Sequence, residues 1–368
     1  MIVIIITAAF MVLGIVDKLV LHGRLGYGAR FDEGIMAMGT LAISMVGIMC
    51  AAPLLSRFLV PIFTPVYRLT GGDPAMAAGM ILACDTGGYP LACAMTDNPQ
   101  LQVLSGIHTG AMMGATIIFS IPVSLTIVEQ KDHGLLAKGF LAGLIAIPAG
   151  CFLAGLLSGI APGTLLRNLL PLFAFSLLLA LGMLKIPAGM LRGFHLFSRF
   201  ITILIHIFFG AAIIEGLTGF AVIPGMAPIG PQLETVGMIG ITLAGAYPMV
   251  HFMTTVLKRP LNAVGRLLRV NGQTAAGMVA CLANNIPAFG MLKDMDDRGK
   301  VFYTAFSVCA AFALGDHLAY AASQAPDSVL PMIAGKILGG LAAILIASLL
   351  VHREQRHQLS LDQSPIQE

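Results

Sequence analysis

Charged residues are scarce in this sequence. Only 11% of its 368 residues are Asp, Glu, Lys or Arg, whereas 57% are hydrophobic and the mean hydropathy is +0.89. Soluble globular chains carry about 25% charged residues, so the composition excludes that class. Tryptophan is absent, and any aromatic belt at a membrane surface must therefore consist of Tyr and Phe. The composition predicts a membrane protein.

Signatures of catalysis, metal binding and nucleic-acid binding are also missing. The chain contains no Walker A, HExxH or GxSxG motif. Its net charge of +3 does not come from a basic patch interleaved with aromatic residues, so we expect no nucleic-acid partner. The six cysteines lie in apolar stretches without a CxxC pair, which favours buried thiols over disulfides or metal ligands. We expect no enzyme activity, no metal site and no cofactor, although Na⁺ or H⁺ coupling is open.

Apolar runs of roughly membrane-spanning length, about 20 residues, repeat along the whole chain. Eleven segments lie near residues 2–21, 34–56, 75–95, 103–128, 135–158, 168–184, 200–220, 236–257, 272–292, 301–322 and 329–351. Basic residues follow both the eighth segment (Lys258, Arg259, Arg266, Arg269) and the ninth (Lys293, Arg298, Lys300). If the ninth segment crossed the bilayer, one of these loops would face the periplasm, against the positive-inside rule.

Two re-entrant hairpins remove this conflict. Residues 283–287 (Ala-Asn-Asn-Ile-Pro) interrupt the ninth segment, and residues 85–90 (Asp-Thr-Gly-Gly-Tyr-Pro) interrupt the third. If both segments re-enter, nine helices cross, and Lys and Arg concentrate on the cytoplasmic side of the inner membrane together with the C-terminus. The sequence thus predicts an all-α polytopic membrane protein with about nine spanning helices and two re-entrant hairpins. Eleven spanning helices remain the alternative.

Short matches in a constant order predict an internal duplication. Residues 77–80 (Ala-Ala-Gly-Met) recur at 275–278, residues 38–42 resemble 239–244, and residues 140–144 resemble 337–341. The expected division is an N-terminal helix (1–30), a first repeat (31–160), connecting helices (161–232), a second, inverted repeat (233–351) and a cytoplasmic tail (352–368). Inverted repeats place a transported substrate at mid-membrane, where broken helices meet. The alternative is that small-residue membrane sequence imitates a repeat.

Polar residues within the apolar segments are the candidate substrate-binding residues, because such residues are costly in a bilayer. At the first hairpin tip, Asp85, Thr86 and Tyr89 offer a counter-ion, a hydroxyl and a ring face to an ammonium group. The alternative role of Asp85 is to cap a half-helix. Residues near segment ends, Asp17 among them, are expected to be solvated.

Two further polar groups complete the candidate site. Asn284 and Asn285 can bind an ammonium or a hydroxyl group, or can satisfy the broken backbone of their own hairpin. In the tenth segment, Asp316, His317 and Tyr320 can hold substrate or relay a proton, or can stabilise a helix break. Tyr247 precedes Pro248 at a predicted helix kink, and its side chain can line a cavity or pack within that kink.

Five motifs resemble a known family. They are Ala-Cys-Asp-Thr-Gly-Gly-Tyr (83–89), Ser-Ile-Pro-Val (120–123), Gly-Ala-Tyr-Pro-Met (245–249), Leu-Ala-Asn-Asn-Ile-Pro (282–287) and Ala-Leu-Gly-Asp-His (313–317). Together they resemble the bacterial ethanolamine utilisation permeases, the EutH family, over residues 31–351. The resemblance implies ethanolamine uptake for a cobalamin-dependent lyase pathway.

We therefore expect a carrier that imports protonated ethanolamine by facilitated diffusion or weakly ion-coupled alternating access. The alternatives are a membrane-bound ethanolamine sensor or scaffold, and a carrier of another small polar amine. A homodimer is expected only by analogy with other transporters.

Overall fold

A computed structural model describes residues 2–256 and 268–362. All regular structure within these ranges is helical, which confirms the all-α prediction. The basic residues Lys258, Arg259 and Arg266, on which part of the topology prediction rests, lie outside the described residues.

The helices of the first part of the chain run up to residue 218. In chain order they are α1 Ile2–Leu19, α2 Tyr27–Thr70, α3 Met76–Ile81, α4 Gly88–Met95, α5 Pro99–Ile127, α6 His133–Leu157, α7 Pro162–Lys185 and α8 Pro187–Thr218. Helix α5 contains two π-helical stretches, Val103–Gly114 and Thr116–Ser120.

The remaining helices follow the connection after residue 218. They are α9 Ile229–Val256, α10 Gly272–Ala283, α11 Asn285–Gly290, α12 Asp297–Ala310, α13 Asp316–Gln324 and α14 Val329–Asp362. Within the described residues, seven helices are long and apolar enough to cross a membrane: α2, α5 to α9 and α14. The chain is therefore a polytopic membrane protein, and the number of crossings stays a prediction.

Helix α2 is longer than the sequence indicated. The apolar run at 34–56 predicted a single span, but the helix extends over 44 residues and contains Pro53, Pro61 and Pro65. At 1.5 Å per residue it is about 66 Å long, roughly twice the thickness of a bilayer core. It must extend beyond the core or cross it at a steep tilt.

Both interrupted segments fold back on themselves. Before α3, the Asp73 carboxylate accepts a hydrogen bond of 2.7 Å from the Thr96 hydroxyl, which lies just after α4. Before α10, the Asn271 side chain donates to the carbonyl of Asp294 at 2.8 Å, beyond α11. Each segment therefore begins and ends at one place, as a helical hairpin does. Entry of the two hairpins from opposite membrane faces stays a prediction.

A third interruption lies where the sequence predicted one continuous segment at 301–322. Helix α12 ends at Ala310 and α13 begins at Asp316. Between them, the N–H groups of Phe312 and Leu314 donate to the carbonyls of Cys281 and Leu282, both at 2.8 Å. Backbone at membrane depth must be hydrogen-bonded within the protein, and the end of α10 provides the acceptors here.

The long helices pack pairwise through small residues. Helix α2 packs along α9, and a side chain at Gly34 would lie only 2.5 Å from the Leu243 carbonyl. Helix α6 packs along α14, where Gly150 faces Gly335 and Gly339. Close approach through small residues is the usual packing of helices in lipid. The division into two inverted repeats stays a prediction.

The position expected for Asp17 was wrong. Its side chain is buried and accepts hydrogen bonds from the backbone N–H groups of Leu25 (3.0 Å) and Gly28 (2.9 Å). The carboxylate satisfies N–H groups in the turn between α1 and α2 and at the start of α2. Asp17 is therefore a structural residue of this connection.

Candidate functional site

The tip of the first hairpin is an irregular turn held between α2 and α5. Leu82 and Ala83 are extended, and Cys84–Thr86 forms a single 3₁₀ turn. Gly87 follows with φ 104°, and a Cβ there would lie 2.1 Å from Cγ2 of Ile48 in α2. Both the backbone conformation and the space require glycine at this position. Glycine at position 87 therefore allows the tight turn that carries Asp85.

Helix α5 supports the same turn from the other side. A Cβ on Gly114 would lie 2.0 Å from the carbonyl oxygen of Leu82, so the hairpin rests directly on the helix backbone. Two further glycines of α5 meet the turn in the same way at intervals of four residues, Gly106 against Tyr89 and Gly110 against Cys84. The four-residue spacing of these three glycines in the sequence already indicated a surface for close packing.

Asp85 is only partly buried as a residue. It faces the backbone N–H groups of its own turn, at Asp85 and Thr86. Side-chain atoms of Cys84, Asp85 and His317 lie within 4.8 Å of one another. The structure thus joins the first hairpin tip to the start of α13, two places more than 200 residues apart in the chain.

Two buried polar atoms beside Asp85 lack a partner in the part of the chain that the structure describes. They are Nδ1 of His317 and the hydroxyl of Tyr320. The Tyr320 ring meets the ring of Tyr89 edge to face, with centroids 6.4 Å apart. A buried polar group without a partner is costly, so a ligand that supplies a hydrogen-bond donor or acceptor to these atoms is stabilised.

Asp316 lies at the first position of α13 and is also only partly buried. Its carboxylate accepts a hydrogen bond of 3.0 Å from the hydroxyl of Tyr247 in α9. Asp316 and Asp85 are close enough to repel each other electrostatically. The sequence marked Tyr247 as a residue of a kink, and its hydrogen bond to Asp316 was not foreseen.

The structure does not bring every predicted residue to this place. Asn285 is buried between α5 and α12, where it accepts from the Tyr303 hydroxyl (2.8 Å) and donates to Ser120 (3.3 Å). Asn284 caps its own short helix by accepting from the N–H of Ile286 at 2.9 Å. Asn284 thus bonds the backbone of its own hairpin, as in the alternative for it, whereas Asn285 bonds side chains of two other helices.

The Thr86 hydroxyl donates a hydrogen bond of 3.3 Å to the carbonyl of Ala83. It makes no hydrogen bond to the other candidate residues within the described part of the chain. Its place in the tip leaves it partly exposed beside Asp85. The contacts described here thus bring together five predicted residues, which are Asp85, Tyr89, Asp316, His317 and Tyr320.

Lys336 also belongs to this region, although it was not among the predicted site residues. It lies within α14, its side chain is fully buried, and its ammonium donates a hydrogen bond to the carbonyl of Ala111 in the π-helical part of α5. It interacts electrostatically with Asp85, Cys84 and His317. A lysine inside a predicted span was the signal available in the sequence.

Two pockets approach the site from the two ends of α13. One, of about 400 Å³, is lined by Tyr89, Val103, Gln324 and Ser328 near the C-terminal end of the helix. The other, of about 200 Å³, is lined by Tyr247 and Asn284 near its N-terminal end. The polar centre therefore lies between two approaches, as a transport site does.

The trio Cys84, Asp85 and His317 has the residue types of a transition-metal site. The positive ammonium of Lys336 close to all three opposes a metal cation. We interpret the trio as polar lining of the centre.

Apolar helices around a polar centre with two approaches define the class of membrane transport proteins. The chain belongs to the family described as "Ethanolamine utilisation protein, EutH", whose sequence profile matches residues 1–350. This confirms the resemblance seen in the sequence motifs.

Curated relatives cover nearly the whole chain. A Listeria monocytogenes protein is 44% identical over 367 residues, covering 100% of this chain and 98% of its own. Proteins of Salmonella typhimurium and Escherichia coli are each 45% identical, covering 92% and 89% of this chain and 88% and 86% of theirs. All three are named "Probable ethanolamine permease EutH". No solved structure matches the chain. Membership in a family of permeases indicates a transporter and not an enzyme, as predicted.

Proposed function

We propose that this protein imports ethanolamine across the bacterial inner membrane as the protonated amino alcohol. The observation that carries the proposal is the carboxylate of Asp85, a partly buried residue, beside two buried polar atoms that lack partners among the described residues. The names of the relatives support the choice of ethanolamine as cargo.

The chemistry of the centre suits a small cation with a hydroxyl group. The Asp85 carboxylate is the counter-ion for the ammonium, and the Tyr89 ring supplies a cation–π wall. The Tyr320 hydroxyl and Nδ1 of His317, which have no partner among the described residues, can bond the substrate hydroxyl. Thr86 borders Asp85 at the tip. Asp316 adds a second negative charge nearby.

Asn284 and Asn285 have a different place in this proposal. Asn284 lines the smaller pocket and is a candidate contact for substrate on its way to or from the centre. Asn285 holds the second hairpin against α5 and α12 through Ser120 and Tyr303. It therefore positions the hairpin.

Transport through this site requires that the two pockets open in turn. The folded-back hairpins and the pairing of α2 with α9 and of α6 with α14 support an arrangement of two inverted repeats with nine crossings. In that arrangement the larger pocket faces the periplasm and the smaller one the cytoplasm. Facilitated diffusion needs no more than alternate exposure of one central site.

A protein path has a physical reason even though neutral ethanolamine can cross lipid. At neutral or acidic pH nearly all of the amine is protonated, because its ammonium group is a weak acid. Moving a charge into the bilayer centre costs several kcal/mol, at least about 2.5–3.5 on insertion scales. The carrier therefore matters most when external pH is low and substrate is scarce.

Uptake of labelled ethanolamine into proteoliposomes at pH 6 tests the proposal. We expect saturable uptake by the wild-type chain and none by Asp85→Asn, with equal amounts of both proteins in the membrane. Asp97→Asn is the matched control, since Asp97 is exposed just beyond α4. Wild-type uptake by Asp85→Asn would refute the assignment of the counter-ion.

Other outcomes separate the rival functions. Saturable binding of ethanolamine without uptake above empty liposomes would favour a sensor or scaffold. Inhibition by ethylamine equal to that by ethanolamine would show that the hydroxyl is not recognised, and stronger inhibition by choline or serinol would indicate another amine as cargo. Cross-linking in the membrane tests for a homodimer.

A further inference from the structure

Lys336 has an environment that is unusual for a lysine. Its side chain is 0% exposed, and no carboxylate of the described residues lies within ion-pair distance of it. Its ammonium donates a hydrogen bond to the backbone carbonyl of Ala111. A buried charge without an ion-pair partner is expensive, and inside a membrane segment it indicates a function.

The structure around Ala111 explains how the ammonium is held. Helix α5 is π-helical over Val103–Gly114, and π-helical segments are frequent at functional sites. Ala111 lies in this stretch and is packed against the first hairpin side of the centre. The lysine is thus fixed at the wall of the centre, in electrostatic reach of Asp85.

Two carboxylates and one ammonium set the net charge of the centre. We take Asp85 and Asp316 as ionised, Lys336 as protonated and His317 as neutral. The net charge of the empty centre is then −1. A single monovalent ammonium brings the centre to zero, so no second cation is needed for the loaded state.

We propose that Lys336 acts as a built-in cation, which takes the place of a co-transported ion and makes this carrier a uniporter for one ammonium substrate. The inference rests on the proposed function, since it specifies the ion coupling of that same site. Lys336 is a positioning and charge-balancing residue, and it does not itself need to touch the substrate.

The test uses Lys336→Gln in proteoliposomes at fixed pH with the membrane potential clamped. Glutamine keeps a donor for the Ala111 carbonyl and removes the charge, so the loaded centre would hold −1. We expect wild-type uptake to be indifferent to imposed sodium and proton gradients. In Lys336→Gln, uptake without a gradient should fall roughly a hundredfold, because one unbalanced charge in the membrane raises the barrier by about 2.5–3.5 kcal/mol. An inward cation gradient should restore uptake.

A compensating variant distinguishes charge from structure. Lys336→Gln combined with Asp316→Asn returns the empty centre to −1, and Asn still offers an acceptor to Tyr247. The double variant should regain gradient-independent uptake, and Lys336→Arg should retain it. Lys293→Met, at an exposed position, is the control and should change nothing.

The outcomes separate this inference from the proposed function. Absence of ethanolamine uptake by the wild-type chain would overturn the function itself. Wild-type uptake that requires a sodium or proton gradient would overturn only the built-in cation. The built-in cation would also be overturned if folded Lys336→Gln stayed inactive under every gradient and Asp316→Asn did not rescue it.

Discussion

The ion pair between Asp132 and Lys300 leads to a prediction about stability that is independent of the substrate site. Lys300 in α12 lies 2.8 Å from the carboxylate of Asp132 just before α6, and the side chains are only 8% and 5% exposed. Lys300 also lies 3.6 Å from Asp297, which is 82% exposed. The second oxygen of Asp132 has no partner among the described residues.

The two single substitutions should therefore differ in cost. Lys300→Met leaves the buried Asp132 charge without a partner, which costs about 3–5 kcal/mol. Asp132→Asn leaves Lys300 with the solvated Asp297 nearby, so the loss is closer to that of one charged hydrogen bond, about 1.5–3 kcal/mol. The double variant should recover most of the Lys300→Met loss, because no uncompensated charge remains.

Melting temperatures of the purified protein, followed by size-exclusion chromatography after heating, measure this order. Lys131→Met is the control, since its pair with Glu129 is exposed and should contribute at most about 1 kcal/mol. Lys300→Met melting no lower than Asp132→Asn would refute the reasoning. A double variant as unstable as the sum of the single ones would refute it too.

Three further predictions concern the site itself. Tyr247→Phe removes the hydrogen bond to Asp316, worth about 1.5–3 kcal/mol, and should lower the initial rate of ethanolamine uptake by more than tenfold; an unchanged rate would show that transport does not depend on this bond. Tyr320→Phe should lower uptake of ethanolamine but leave uptake of labelled ethylamine unchanged; an equal loss for both would place the hydroxyl away from the substrate. Gly114→Ala should displace the first hairpin and abolish uptake at wild-type expression, whereas Gly134→Ala, in open space, should be silent in both assays.

Two of the three helix interruptions were predictable because their cause is local. Gly87 and Gly88 at the first hairpin tip, and Asn284 followed by Pro287 at the second, disfavour a continuous helix through these positions. The third break has mostly helix-forming residues, Ala-Phe-Ala-Leu-Gly at 311–315. Its cause is tertiary, since its N–H groups bond carbonyls of α10 more than 30 residues earlier.

The candidate site was predictable to a similar extent. Asp85, Asp316 and His317 were recognised by the cost of polar side chains in apolar segments, and the structure places them together. The same rule applied to Lys336, which lies within the last apolar segment but was not among the predicted site residues. For Asn285 the sequence could not choose between substrate and protein partners, because Ser120 and Tyr303 come from distant segments.

Helix α13 connects the candidate substrate site to the second hairpin. Its first residue, Asp316, belongs to the charged centre, and its last turn borders the larger pocket. The backbone immediately before it is hydrogen-bonded to the end of α10 through Phe312 and Leu314. A tilt of the second hairpin would therefore move Asp316. A cation bound between Asp316 and Asp85 would in turn change the free energy of that tilt. In the proposed carrier, binding at this carboxylate pair would therefore act on both approaches, which is what a single central site requires.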